Sequence, residues 1–168
     1  MVDLLAILLS LLCSPAAADR LRLTAPDYLS PELARTHLVS AAAAGVLTGQ
    51  DPSTLLAIAY HESRYTMATT PESGGRVSCG VMTPEPVSAC QRSTLAGSYL
   101  AGARHLREWA TAARGDMRIA LTGYAGGWVL IRACAVDRGR QGCAHYAHIA
   151  ARASAIRGRR PPESRAGS

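Results

Sequence analysis

Two proline-headed helix starts constrain this chain more than any other feature. Ser30-Pro31-Glu32 and Asp51-Pro52 each set a capping side-chain oxygen before a proline at the first helical position, where the missing N–H costs nothing. The first predicts a helix through the Ala-rich stretch to Leu47, ended by Gly49. The second predicts a helix to about Ser63. Leu95 to Ala113 follows, with Leu95, Tyr99, Ala103 and Leu106 spaced for one face. Gly115-Asp116 precedes a short helix from Met117 to Tyr124, Gly126-Gly127 breaks it, and Trp128–Ala135 and Ala144–Ile156 are again helical. Thr69 to Pro86 is rich in Thr, Pro, Ser and Gly and reads as loop with a short hairpin, then a short helix from Pro86 to Arg92. Residues 19–29 read as extended or irregular. The expected fold is mainly α, one domain, with an irregular lobe between residues 66 and 92.

Composition narrows the class. With 168 residues, 48% hydrophobic and 18% charged, the chain is long enough for one core and too apolar for a disordered protein. The only long apolar run, Leu4–Leu12, is too short to span a bilayer, which excludes a polytopic membrane protein. All 18 basic residues are Arg and the net charge is +6. These Arg residues are scattered from Arg20 to Arg165 instead of forming a dense patch, so nucleic acid is not an expected partner. The tight cluster Arg157, Arg159, Arg160 leads into a tail, residues 158–168, that reads as disordered and basic.

Leu4–Leu12 followed by Ser14-Pro15 and Ala16-Ala17-Ala18 has the layout of a secretory signal, residues 1–18, cleaved before Asp19. Its n-region, Met-Val-Asp, lacks the usual positive charge. Cleavage removes Asp3 and raises the net charge from +6 to +7. It also removes Cys13 and leaves Cys79, Cys90, Cys134 and Cys143, an even count that implies disulfides in an exported chain. Three connectivities are open. The pairing nearest in sequence is Cys79–Cys90 with Cys134–Cys143. Cys143-Ala-His145-Tyr-Ala-His148 offers metal-ligand types, but the second ligand pair of a zinc site is missing, so no metal is expected.

One acidic residue stands out. Leu55, Ile58, Ala59 and Glu62 occupy i, i+3, i+4 and i+7, so Glu62 lies on the apolar stripe and at the negative end of its helix. Both effects favour a protonated carboxyl, the form that general-acid cleavage of a glycosidic bond needs. The competing reading is a Glu that frays into solvent where the helix ends.

His61-Glu62-Ser63-Arg64-Tyr65 resembles the Glu-Ser motif of the soluble lytic transglycosylase family, whose fold is lysozyme-like. That family's second element, a Gly-[Leu/Val]-Met-Gln turn, is matched by Gly80-Val81-Met82-Thr83. Its third, Tyr-x-x-Gly after a Gly-Asp…Ala-Leu lead-in, is matched by Gly115-Asp116…Ala120-Leu121 and Tyr124-Ala125-Gly126-Gly127. The similarity runs from about Asp51 to Gly127. Thr83 stands in place of the family Gln, and Ala125 in place of the family Asn.

The resemblance implies a lysozyme-like fold of the α+β type over residues 19–157. It implies a periplasmic or extracellular enzyme that cleaves the MurNAc-β-1,4-GlcNAc bond of peptidoglycan and leaves 1,6-anhydro-muramic ends. Glu62 would be the single catalytic residue. Ser63, Gly80, Val81, Met82, Thr83, Tyr124 and Gly127 would bind glycan or shape its cleft. A Cys79–Cys90 bridge would staple the Gly80-Val81-Met82 turn. No cofactor is implied; the partners are glycan strands, with no stable membrane insertion after cleavage, and the expected state is a monomer. Two alternatives remain: a goose-type lysozyme-like hydrolase of the same bond, and a wall-binding or assembly protein that has lost turnover, which Thr83 and Ala125 would favour. His61 and His105 read as surface or core residues without a chemical task.

Overall fold

The structure is a computed structural model that describes residues 14–25, 27–67, 70–71, 77–84, 94–137 and 143–158. Among these residues it is mainly helical. The elements run α1 (Pro15–Thr24), α2 (Pro31–Thr48), α3 (Pro52–Ser63), β1 (Thr70–Pro71), β2 (Val77–Cys79), β3 (Thr83–Pro84), α4 (Leu95–Ala112), α5 (Met117–Val136) and α6 (His145–Ile156).

The expected punctuation is used as read. Ser30 caps α2 through its hydroxyl to the Leu33 amide, and Gly49 ends it at φ 74°. Asp51 caps α3 by accepting from the Thr54 amide at 2.9 Å, and also meets Arg157 at 2.6 Å. Asp116 caps α5 by accepting from the Arg118 and Ile119 amides. The predicted break at Gly126-Gly127 is a kink within α5: Gly127 takes φ 64°, ψ −165°, a conformation open to glycine alone. By length and composition α5 is apolar enough to cross a membrane, yet Ala120 to Tyr124 of its first half are buried in the protein.

One element differs from expectation. Residues 15–24, read as leader and extended chain, form helix α1, because Ser14-Pro15 is a third capped start: the Ser14 hydroxyl accepts from the Ala17 amide. The expected processing site after Ala18 falls inside α1, with Ala17 and Ala18 buried, so an export protease would have to act before this helix docks. Arg20 on α1 bonds the Ile156 carbonyl, and Arg152 on α6 bonds the Thr24 carbonyl, tying the two helices together.

The core is shared by the six described helices. α2 packs broadly on α4 and α3 on α6, with α5 against α4 and α6. Ala34, Ala41, Ala42 and Ala44 on α2 are buried, and their small side chains let neighbouring helices come close. Between α3 and α4 lies a small antiparallel sheet, β1-β2-β3, with Ser78 opposite Thr70 and Pro84, and Cys79 opposite Thr83. The Cys134–Cys143 bridge is formed, with Cα atoms 5.4 Å apart, and joins the end of α5 to the start of α6. The expected Cys79–Cys90 pair, the short helix at 86–92 and the tail 159–168 lie outside the described residues or side chains.

A buried histidine braces the segment after α3. His37 on α2 is 1% exposed, and its Nδ1 lies 2.8 Å from the Tyr99 hydroxyl. Its ring also packs edge-on to Tyr65 and hydrogen-bonds the Tyr65 backbone. Burial lowers its pKa to about 4, with the Tyr65 bond opposing the shift. The folded ring therefore takes a proton only near pH 4, whereas the unfolded ring does so near 6.5. Stability from the neutral ring is complete above 6.5 and is lost as pH falls towards 4. From pH 7 to 4.5 urea unfolding should register a His37 contribution on the order of 2–3 kcal/mol. His37→Asn should flatten the curve by that amount; identical pH dependence in the two proteins would refute the assignment.

Candidate functional site

The link between β2 and β3 is a three-residue hairpin tip, Gly80-Val81-Met82, and it points into the helical body. Val81 and Met82 are fully buried. A loop tip is ordinarily solvated, and its backbone polar groups need partners once water is excluded. Three helices supply them. Ser98 on α4, itself buried, accepts from the Val81 amide at 2.9 Å. Ser63, at the end of α3, has its hydroxyl 3.2 Å from the Val81 carbonyl and 3.0 Å from Ala59 O. The Tyr124 hydroxyl on α5 donates to the Met82 carbonyl.

The fit is tight. Gly80 sits at φ 78°, and a Cβ there would collide with the Ser98 hydroxyl. On α4, a Cβ at Gly102 would lie 2.5 Å from Met82 Cβ and 2.9 Å from its Sδ. The Met82 side chain thus occupies the notch that Gly102 leaves.

Glu62 precedes Ser63 in the last turn of α3. Leu55, Ile58 and Ala59 of its stripe are fully buried, but Glu62 is not: 33% of its side-chain surface is open. Of the two readings that periodicity leaves open, a carboxyl carried towards solvent at the helix end is the one observed. The stripe leaves the core at its final member because α3 ends one residue later. The chain then turns sharply, with Arg64 at φ 54° and Tyr65 at φ 64°, two successive left-handed residues without a glycine. Such positions cost about 1–2 kcal/mol each and persist only when braced. Here Tyr65 is buried against His37 and Tyr60, and its amide reaches Ala59 O.

Three histidines cluster at this end of α3, one of them against Glu62. His145 Nε2, at the start of α6, lies 3.7 Å from Glu62 Oε1. The His61 ring centroid is 5.3 Å from that of His145 and 6.1 Å from that of His148. Burial, then the charges of His145, Arg152, Arg64 and His148, lower the His61 pKa to about 4. Burial, then His148, lower that of His145. Both rings are thus neutral at pH 7. Arg64 and Arg152 lie over the Tyr60 ring, 4.3 and 3.3 Å from its centroid, and keep the margin of this region positive.

The expected residues are therefore brought together with altered tasks. Ser63, Gly80, Val81, Met82 and Tyr124 converge; Val81 and Met82 are buried in the helical body, and the Tyr124 hydroxyl is engaged with the Met82 carbonyl. Thr83 opens β3; its side chain is outside the described set. Gly127 lies at the α5 kink with open space around it. Asp116, of the Gly-Asp lead-in, is engaged as a helix cap. Three roles went unread in the sequence: Ser98, Gly102, and the His61–His145–His148 group. His105 also has partners, accepting from Trp109 Nε1 at 3.2 Å and packing 5.1 Å from the Tyr124 ring.

A cavity of about 490 Å³ lies between α5 and α6, lined by Ile119, Ile131, Tyr146 and the Cys134–Cys143 bridge. Glu62 is not part of its wall. No family model, curated protein or solved structure matches this chain.

Removing one partner of the tip leaves a buried polar group unmade, which costs about 1–3 kcal/mol. Ser98→Ala should lower stability by that amount in urea unfolding and speed hydrogen exchange at the Val81 amide. Tyr124→Phe should act in the same direction through the Met82 carbonyl. A Ser98→Ala protein within a few tenths of a kcal/mol of wild type would show that the tip is not held this way.

Proposed function

We propose that the chain is an exported peptidoglycan lytic transglycosylase of lysozyme-like fold, cleaving the MurNAc-β-1,4-GlcNAc bond with Glu62 as its single catalytic carboxyl. The observation that carries this reading is the convergence of three separated motifs. Glu62-Ser63 ends α3, Ser63 bonds the Gly80-Val81-Met82 tip, and the tip bonds Tyr124. The motifs that resemble the transglycosylase family thus meet in one place beside one partly open carboxyl. The small sheet between α3 and α4 fits the lobe that flanks a glycan cleft in such a fold. The formed Cys134–Cys143 bridge fits an oxidising compartment, in keeping with the apolar leader and Ala-x-Ala site.

The chemistry follows from one carboxyl. Protonated Glu62 gives its proton to the glycosidic oxygen as the C1–O4 bond breaks. The acetamido carbonyl of the muramic residue bonds to C1 and takes up the positive charge. Glu62, now a carboxylate, removes the proton of the C6 hydroxyl. O6 then bonds to C1, the acetamido oxygen leaves, and a 1,6-anhydro ring closes. Glu62 ends protonated and no water is consumed. Neutral His61 and His145 suit this cycle, because a cation beside Glu62 would favour its ionised form. The net charge of +6 favours encounter with an anionic wall polymer.

Glu62→Gln should abolish release of soluble fragments from purified sacculi, a loss of at least about 10³-fold, while the fold is kept. Mass spectra of wild-type products should show anhydro ends, lighter by one water than reducing ends. Reducing ends in their place would make the protein a hydrolase of the same bond. Binding without release by either protein would leave it a wall-binding module and defeat the enzyme reading.

A further inference from the structure

We propose that His145 is the positioning residue for Glu62, accepting a hydrogen bond from its protonated carboxyl; this role rests on the reading of Glu62 as the acid. His145 Nε2 lies 3.7 Å from Glu62 Oε1, one small side-chain adjustment from a hydrogen bond. That nitrogen is shielded from solvent and has no hydrogen-bond partner among the described residues, although the His145 side chain as a whole is 19% exposed. A buried polar atom without a partner is costly and calls for one. The atom within reach is the carboxyl oxygen whose proton the proposed reaction uses.

The ring is held for this task. His145 is the first residue of α6, two positions after Cys143, which the bridge to Cys134 fixes to α5. His61 packs edge-on to it, one residue before Glu62 on α3. α3 and α6 pack together along their length. Among the described residues, the titratable and charged groups around the pair come from α3 (His61 and Glu62), from the turn after it (Arg64) and from α6 itself (His148 and Arg152). In this setting the imidazole is neutral at pH 7 and presents a lone pair. A lone pair bonds the acid form of Glu62 and not its carboxylate. It therefore favours the protonated state and fixes which oxygen bears the proton. Once Glu62 has given up that proton, the bond is lost, and the carboxylate is free to turn to the C6 hydroxyl.

Two variants test this on sacculi. His145→Leu keeps an apolar side chain of similar bulk but removes the acceptor. It should lower kcat about tenfold or more with KM changed less than about twofold, and should move the alkaline limb of the pH profile to lower pH. His145→Gln restores an acceptor and should stay within about threefold of wild type. Equal loss in both, or His145→Leu at wild-type rate with an unmoved profile, would overturn the role. The imidazole nitrogen shifts of the wild-type protein give a second reading that needs no active variant. The His145 Nε2 resonance should show a step that tracks the Glu62 titration and vanishes in Glu62→Gln. A resonance with the same titration in both proteins would also overturn it. The two readings fail separately: if Glu62→Gln is dead and His145→Leu is unaffected, the enzyme stands and this role falls. If wild type releases nothing, the glycan-cleaving reading falls and this role with it.

Discussion

A buried hairpin tip organises this protein. Gly80, Val81 and Met82 sit where helical side chains would otherwise meet, and a tip has backbone amides and carbonyls that a helix would have paired internally. Among the described residues, three bonds hold it, each from a different helix: Ser63 on α3, Ser98 on α4 and Tyr124 on α5. The tip is thereby a three-way clamp. It sets the relative positions of α3, α4 and α5, and it sets where the end of α3 stops. Because Ser63 is one of the three, its neighbour Glu62 is placed by the same interaction.

The second constraint lies on the other side of Glu62. Two left-handed residues, Arg64 and Tyr65, reverse the chain immediately after the carboxyl, and this strain is offset by the core. His37, Tyr60 and Tyr99 form an aromatic packet around Tyr65, with a buried His37–Tyr99 hydrogen bond inside it. Core and site are thus continuous: protonating His37 in the core loosens the brace on the turn that aims Glu62. On the third side, α6 brings His145 to the same carboxyl. The open face left to Glu62 is the face available to a ligand.

The helical frame was legible because its punctuation is local. Ser30-Pro31, Gly49, Asp51-Pro52 and Asp116 act within one turn of themselves, and each does what its chemistry predicts. α1 was not, because the same Ser-Pro signal at Ser14-Pro15 follows an apolar leader, and the leader pattern took precedence. The stripe on α3 is real, yet periodicity carries no knowledge of where a helix leaves the core, so it leaves the exposure of Glu62 open. Ser98 and Gly102 look like ordinary small residues in a helix; their meaning arises from a tip that reaches them across the fold. The histidine group is hidden for the same reason, since His61 and His145 lie on helices far apart in the chain. The Cys134–Cys143 pair was readable because a short loop favours its own closure.

On the proposed function, a β-linked N-acetylhexosamine strand binds at the partly open carboxyl of Glu62. The most direct measurement is backbone amide NMR during titration with a soluble N-acetylglucosamine oligomer. The largest shifts are expected on Glu62, Ser63 and Arg64, with weaker ones on the buried tip beneath them and at the start of α6. Saturable shifts confined to the cavity between α5 and α6, or no shifts at saturating sugar, would contradict it.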